Sequence, residues 1–218
     1  MIPLPRHRLV WLDPAALDAL SLSDPNDRDA VRDWLSAGRP AVVRRSEVDT
    51  GHDVPLGIPL PERLGRRRVE LRARPDAIRR TGAMPLLSEA ADAAPLGWRP
   101  IVHRVATALG ACGAAVHVFG SLGWQALTGE AYLRPGSDID ILIEPASGFD
   151  AGAVLGVLHE LARMTEPRLD GELVLDGDRA VSWRELLTEA EKLLVRSSAG
   201  VSLEDRENFL GRLLKEAA

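Results

Sequence analysis

Residues 119–145 read FGSLGWQALTGEAYLRPGSDIDILIEP, and two acids in this stretch dictate how it folds. Asp138 and Asp140 stand two apart in a run whose other members, Ile139, Ile141 and Ile143, are apolar and β-branched. Residues two apart on a strand share a face. The pattern therefore predicts a strand over Ser137–Ile143 with both carboxylates on one side and the isoleucines on the other. Carboxylates held side by side repel, and a hydrophobic strand offers nothing against that repulsion. A cation does, and one or two Mg²⁺ ions carrying a phosphate chain suit the arrangement.

The acids are preceded, 17 positions before Asp138, by Gly120-Ser121 at the end of the apolar run Val116–Phe119. A glycine lets the backbone approach a phosphate closely. A serine opening a helix offers its hydroxyl and N–H at the end of the helix that favours anions. Gly-Ser alone reads as a turn with an N-cap; followed by Asp-x-Asp on a strand it is far more specific. A metal pair asks for a third carboxylate. The candidates are Glu144, at the strand exit before Pro145, Asp170 and Glu172 in RLDGELVL, and Asp176 and Asp178, which flank Gly177 in a hairpin-like DGD. Asp170 is preferred, because pairing of its strand with the acidic strand would set it beside Asp140.

Around this centre the chain divides in two. Residues 1–90 read as a small α+β unit. It has a strand at Arg8–Leu12, a helix over Asn26–Ser36 opened by Ser23-Asp24-Pro25 and stopped at Gly38, and strands at Pro40–Arg45 and Arg68–Arg72. GHDVPLGIPLPERLG, residues 51–65, is Pro/Gly-punctuated and reads as loop with at most one short strand. Residues 91–218 read as alternating helices and strands. Helices are expected at Ile101–Leu109, Ser121–Leu127, Ala151–Met164, Trp183–Glu191 and Leu203–Leu214, and strands at Val116–Phe119, Ser137–Ile143, Arg168–Leu175 and Leu193–Arg196. The expected class is α+β, a mixed sheet with helices preceded by the smaller α+β unit.

Charge is uneven. Residues 1–100 carry 16 Lys+Arg against 14 Asp+Glu, whereas residues 101–218 carry 11 against 18. Eight arginines, Arg63, Arg66, Arg67, Arg68, Arg72, Arg74, Arg79 and Arg80, crowd into 18 positions. Guanidinium forks suit phosphates and carboxylates, so the cluster reads either as a docking surface for an acidic partner or as a solvated face. The chain has only two lysines, which favours the second reading. Net acidity and few aromatics argue against nucleic acid. No apolar run is long enough to span a bilayer and no secretion signal is evident. A single cysteine, Cys112, builds neither a disulfide framework nor a zinc site. The expected compartment is the cytoplasm.

The order strand, Gly-Ser, helix, Asp-x-Asp strand, Asp strand resembles the nucleotidyltransferase superfamily typified by DNA polymerase β. More narrowly, GSLGWQALTGEAYLRPGSDIDILIEP and RLDGELVLDGDRAVSWREL resemble the holo-acyl-carrier-protein synthases of malonate decarboxylase, which are phosphoribosyl-dephospho-CoA transferases. RHRLVWLDP and VPLGIPLPERLG resemble the amino-terminal region of that family, so the likeness covers nearly the whole chain.

The resemblance implies a polymerase-β-like catalytic domain over residues 91–218 and a substrate- or partner-docking domain over residues 1–90. It implies transfer of 2′-(5″-phosphoribosyl)-3′-dephospho-CoA from its triphosphate precursor to a serine of the malonate decarboxylase acyl carrier subunit, with release of diphosphate. Asp138, Asp140 and Asp170 would be the catalytic acids and the Mg²⁺ ligands. Gly120 and Ser121 would hold the departing phosphates. Gln125 and Arg134 are further candidate substrate contacts, the alternative for Arg134 being a solvent-exposed loop arginine. Arg196, in KLLVRS, stands where the resemblance leads one to expect lysine, which keeps the charge but changes its geometry. Two other readings share the acids: a small-molecule adenylyltransferase using ATP, and a catalytically silent nucleotidyltransferase-fold binding module.

Overall fold

The structure, a computed structural model, describes residues 4–45, 52–164 and 166–216. The first three residues, and Gly51 at the head of the proline-rich stretch, lie outside the described residues. The chain forms two compact units. The first comprises Met1–Met84 with the short segments Glu130–Tyr132 and Ser198–Gly200; the second holds Pro85–Gly129, Leu133–Ser197 and Val201–Ala218. The first unit ends at Met84, six residues before the division expected at 90/91, because Leu87 and Ala90 pack into the second unit's core and Leu87 N–H donates to Val116 C=O at 2.8 Å.

The first unit is an antiparallel six-stranded sheet with one helix. Its elements are β1 (Leu9–Leu12), β2 (Ser21–Leu22), α1 (Arg28–Ser36), β3 (Ala41–Val43), β4 (Val54–Pro59), β5 (Arg68–Ala73) and β6 (Ile78–Gly82), in sheet order β2-β5-β4-β3-β1-β6. The Asp24 carboxylate accepts from Asn26 N–H at 2.9 Å and starts the 3₁₀ turn that leads into α1. That helix buries Val31, Trp34 and Leu35, each worth roughly 1.5–3 kcal/mol of apolar burial. β4 is the one short strand that the reading of residues 51–65 allowed, and Val54–Pro59 pairs with β5 along its whole length. Pro55 C=O accepts from Arg44 N–H, so odd-numbered residues of β4 face β3, where only Val42 and Val43 have partners. Both prolines thus place their missing donors where β3 runs out, and the β5 ladder is intact.

The second unit contains α2 (Arg99–Gly110), β7 (Ala114–Phe119), α3 (Gly120–Thr128), β8 (Ile139–Pro145), α4 (Ala151–Leu161), β9 (Leu169–Leu175), β10 (Arg179–Ser182), α5 (Trp183–Leu186), β11 (Lys192–Ser197), β12 (Gly200–Asp205) and α6 (Arg206–Glu216). Its sheet runs β12-β11-β10-β9-β8-β7, with β8 and β9 parallel and β7–β8, β9–β10 and β10–β11 antiparallel. Ile139, Ile141 and Ile143 are fully buried on one face of this sheet, among Val102, Val105, Val154, Leu158 and Trp183. The fold is the α+β class with a mixed sheet that the alternating pattern predicts.

Two elements depart from expectation. The helix expected over Trp183–Glu191 stops at Leu186, because Arg206 donates to the carbonyls of Leu186 (2.7 Å) and Thr188 (2.6 Å) and holds the chain turned. Residues 203–205, expected as the start of the closing helix, extend the sheet instead, and α6 begins at Arg206.

Candidate active site

β7 turns into α3 at Gly120, whose φ is +60°. A β-carbon there would run into the Asp140 carboxylate, so both the turn and the approach of the helix start to the acid require glycine. No side chain caps α3, which leaves its first amides available at the positive end of the helix. Ser121 is half-buried in that first turn, and its hydroxyl has no hydrogen-bond partner among the described residues.

The acids lie across the next two strands. Asp140 pairs in register with Asp170, and Asp138 stands one residue ahead of β8, where Ile139 N–H donates to Arg168 C=O at 2.9 Å. The expected adjacency of Asp140 and Asp170 is therefore present. Gly171 makes it attainable: its φ is +143°, and a β-carbon would collide with the Ile141 carbonyl. Gly171 N–H also donates to Asp170 Oδ1 at 2.8 Å and so fixes that carboxylate.

Among the described residues, Arg168 is the cation that stands by these acids. Arg168 Nη2 lies 2.5 Å from Asp170 Oδ2, and Arg168 Nη1 lies 4.0 Å from Asp138 Oδ2. Asp140 nonetheless has its carboxyl pushed up to about 6, first by burial and then by the Asp138 and Asp170 charges, with Arg168 opposing the rise. Sequence reasoning missed both Arg168 and Gly171. Period-two alternation carried a signal for the first, since Arg168 shares the face of Asp170.

The same face continues across the sheet. Glu172 follows Asp170, and strand pairing through Val174 and Ala180 puts Arg196 on this side, with Nη1 3.8 Å from Glu172 Oε1. Arg196 is therefore on the acid-bearing face but two strands from Asp170. Glu144 lies at the far end of β8, 3.8 Å from His117 Nε2, and Asp176 sits in the β9–β10 turn beside Arg179; neither stands by the Asp140–Asp170 pair.

Arg134 is exposed and lines a cleft of about 660 Å³ together with Asp138 and Arg168. Gln125 is placed differently from a substrate contact. Its Nε2 donates to Ala93 C=O at 2.7 Å and its Oε1 accepts from Leu133 N–H at 3.2 Å, so the amide spans two stretches of main chain. It positions the loop that carries Arg134.

The donors at this site are carboxylate oxygens, which suit a hard divalent cation. Among the described residues no group of three or more acidic, histidine or cysteine side chains is placed to hold a metal ion, and Arg168 pairs with Asp170 and reaches Asp138. In donor type alone, three carboxylates with Asp140 and Asp170 in register match what Mg²⁺ takes.

Two family models match the chain. The phosphoribosyl-dephospho-CoA transferase MdcG N-terminal domain matches residues 5–83, and the C-terminal domain of the same enzyme matches residues 85–207. The chain belongs to the phosphoribosyl-dephospho-CoA transferase family. A relative of that name from Xanthomonas campestris pv. campestris (strain 8004) is 36% identical over 200 residues, covering 91% of this chain and 92% of the relative. One from Bradyrhizobium diazoefficiens is 34% identical over 210 residues, with 95% and 93% covered. One from Pseudomonas putida (strain W619) is 30% identical over 206 residues, with 90% and 91% covered. No solved structure matches the chain. Membership makes the protein a transferase, and Gly120, Ser121, Asp138, Asp140 and Asp170 all fall within the matched carboxy-terminal domain. Among the described residues no helix is long and apolar enough to cross a membrane.

Proposed function

We propose that this transferase moves 2′-(5″-phosphoribosyl)-3′-dephospho-CoA from its triphosphate precursor to a serine of the acyl carrier subunit of malonate decarboxylase, releasing diphosphate. The observation that carries this reading is the side-by-side register of Asp140 and Asp170, with Asp138 beside them and the Gly120–Ser121 helix start on the Asp140 carboxylate. The acceptor serine Oγ forms a bond to the α-phosphorus, the bond from that phosphorus to the oxygen of the leaving diphosphate breaks, and the serine proton passes to Asp170. The amides of Gly120 and Ser121 and the Ser121 hydroxyl hold the departing diphosphate. Arg134, and Arg168 once released from Asp170, grip phosphate oxygens. Arg196 supplies a further cation on the same sheet face. Asp138, Asp140 and Asp170 would hold Mg²⁺, which when bound neutralises phosphate charge and lowers the pKa of the attacking hydroxyl.

The first unit is the proposed docking domain for the carrier. Most of its arginine cluster is spent internally: Arg63 on Glu130, Arg66 on Glu62, Arg67 on Asp27, Arg74 on Asp76 and Arg79 on Asp13, with Arg80 stacked on Trp11. Arg68 and Arg72, four apart on β5 and so on one face of it, have no acidic partner among the described residues and are the pair available to an acidic surface.

The test is intact-mass spectrometry of the purified apo carrier subunit after incubation with enzyme, Mg²⁺ and the triphosphate donor. Addition of one phosphoribosyl-dephospho-CoA is expected with the wild-type enzyme and not with Asp140→Asn. Addition of adenylate from ATP in place of the donor would overturn the reading.

A further inference from the structure

We propose that the cleft beside Asp138 seats a purine ring, so that the donor is held by its adenine at one end and by its polyphosphate at the other. The assignment rests on the donor proposed above and adds where its base lies. The cleft's lining includes the flat apolar side chains of Trp98, Pro95, Pro135 and Pro167. Arg134, Arg168 and Asp138 contribute charge to the same lining. A ligand matching both kinds of surface has a planar heterocycle joined through sugar to phosphate. Indole and proline faces stack on a base without regard to its edges, whereas a pantetheine arm carries flexible amides that such walls cannot hydrogen-bond. At about 660 Å³ the cleft lies within the usual range for small-molecule sites and admits a nucleoside with a second sugar.

The cleft is preformed. Trp98 sits at the start of α2, its N–H donating to Pro95 C=O at 2.8 Å and its own C=O accepting from Val102 N–H at 2.9 Å. Another part of the lining is a tight turn, in which Ser137 N–H donates to Arg134 C=O at 3.0 Å and Arg134 N–H donates to Ser137 Oγ at 3.0 Å. Gln125 anchors that turn through Leu133 N–H. Walls fixed in this way spend little binding energy on ordering. Glu166, exposed on the rim, adds an acceptor for an exocyclic amine, a feature of adenine that hypoxanthine lacks.

Photolabelling the full-length enzyme with 8-azido-adenosine 5′-monophosphate and mapping the modified peptide tests the assignment without depending on any substitution. Label within residues 95–98, 133–138 or 166–168, protected by dephospho-CoA but not by pantetheine, is the expected result. Label confined elsewhere, or protection by pantetheine alone, overturns it. In parallel, Trp98→Ala is expected to weaken dephospho-CoA binding by titration calorimetry at least ten-fold, with Trp98→Phe within about three-fold of wild type. Inorganic triphosphate binding should be unchanged in both. Equal dephospho-CoA affinity in wild type and Trp98→Ala would overturn the purine seat while leaving the transferase reading standing. Failure of the carrier-modification assay in the wild type would remove the transferase reading itself.

Discussion

Arg168 Nη2 stands 2.5 Å from Asp170 Oδ2, and its Nη1 reaches to 4.0 Å from Asp138, so a side chain of the protein holds the charge position between two of the three acids. The guanidinium is half exposed and lines the cleft, which gives it somewhere to go. A divalent cation must compete with it for Asp170. Arg168→Gln is therefore expected to bind Mn²⁺ more tightly than wild type by roughly three-fold or more, the scale of a partly exposed ion pair, as read by electron paramagnetic resonance in the absence of donor. The same variant should transfer more slowly, because Arg168 is the side chain proposed to grip phosphate oxygens once it leaves Asp170. Weaker Mn²⁺ binding by Arg168→Gln would show that the arginine organises the acids rather than competing for them.

Asp140 predicts a pH signature. Its carboxyl is raised from 3.8 to about 6 by burial and by its two acidic neighbours. Between about pH 4 and pH 6 the native protein keeps a proton that the unfolded chain has lost, so this group lowers stability as pH rises through that window. Asp140→Asn removes the buried charge. In chelator it should be more stable than wild type above pH 6, by on the order of 1–2 kcal/mol, with the difference vanishing below about pH 4. Divalent-cation binding by the wild type should fall as pH drops through 6. Denaturant melts across this range check the first expectation and Mn²⁺ titrations the second.

How much of this could be read from the residues differs by element. The acidic strand was legible because alternation of Asp138, Ile139, Asp140 and Ile141 admits one face assignment, and the hairpin at DGD because Asp176 and Gly177 supply the two positive φ angles such a turn needs. β4 was legible only as one short strand somewhere in residues 51–65 and not in its bounds, since the rule that removes proline from strands says nothing about which neighbour the missing donors face. The residues of the arginine cluster were legible but their partners were not: Arg63 meets Glu130 and Arg79 meets Asp13, 67 and 66 positions away. Gln125 was read as a substrate contact because a helical glutamine near a Gly-Ser turn looks the same whether its amide meets phosphate or main chain.

Gly171 carries the register on which the site depends. Its φ of +143° is open to glycine, and any β-carbon would strike the Ile141 carbonyl of the neighbouring parallel strand. Gly171→Ala must push β9 away from β8 or break the pairing at Asp140 and Asp170. A loss of about 2 kcal/mol or more is expected in denaturant unfolding, and the protein that remains folded should have lost transfer activity. A fully active and equally stable Gly171→Ala variant would show that the Asp140–Asp170 register is not what places the acids.

Within the first unit, Glu130 is held by two arginines. Its Oε1 lies 2.7 Å from both Arg39 Nη2 and Arg63 Nη2, and Arg63 Nε donates to Oε2 at 2.9 Å. The carboxyl is lowered to about 2, chiefly by the Arg63 hydrogen bonds and then by those of Arg39. A depressed acid stabilises the native state above its unfolded value near 4.5 and loses that contribution as pH falls toward 2. Tyr132, two residues on, donates its hydroxyl to Pro59 C=O at 2.8 Å, so the segment is tied down at both ends. Glu130→Gln should therefore lower the melting temperature at pH 7 while leaving the melt at pH 2 close to wild type. Because Glu130 lies outside the acid centre, donor binding measured by calorimetry should stay within two-fold of wild type. A melting temperature unchanged at pH 7 would mean that the two arginines hold the segment by stacking and packing, as Arg39 does over Trp34 at 5.2 Å, and not through the carboxylate.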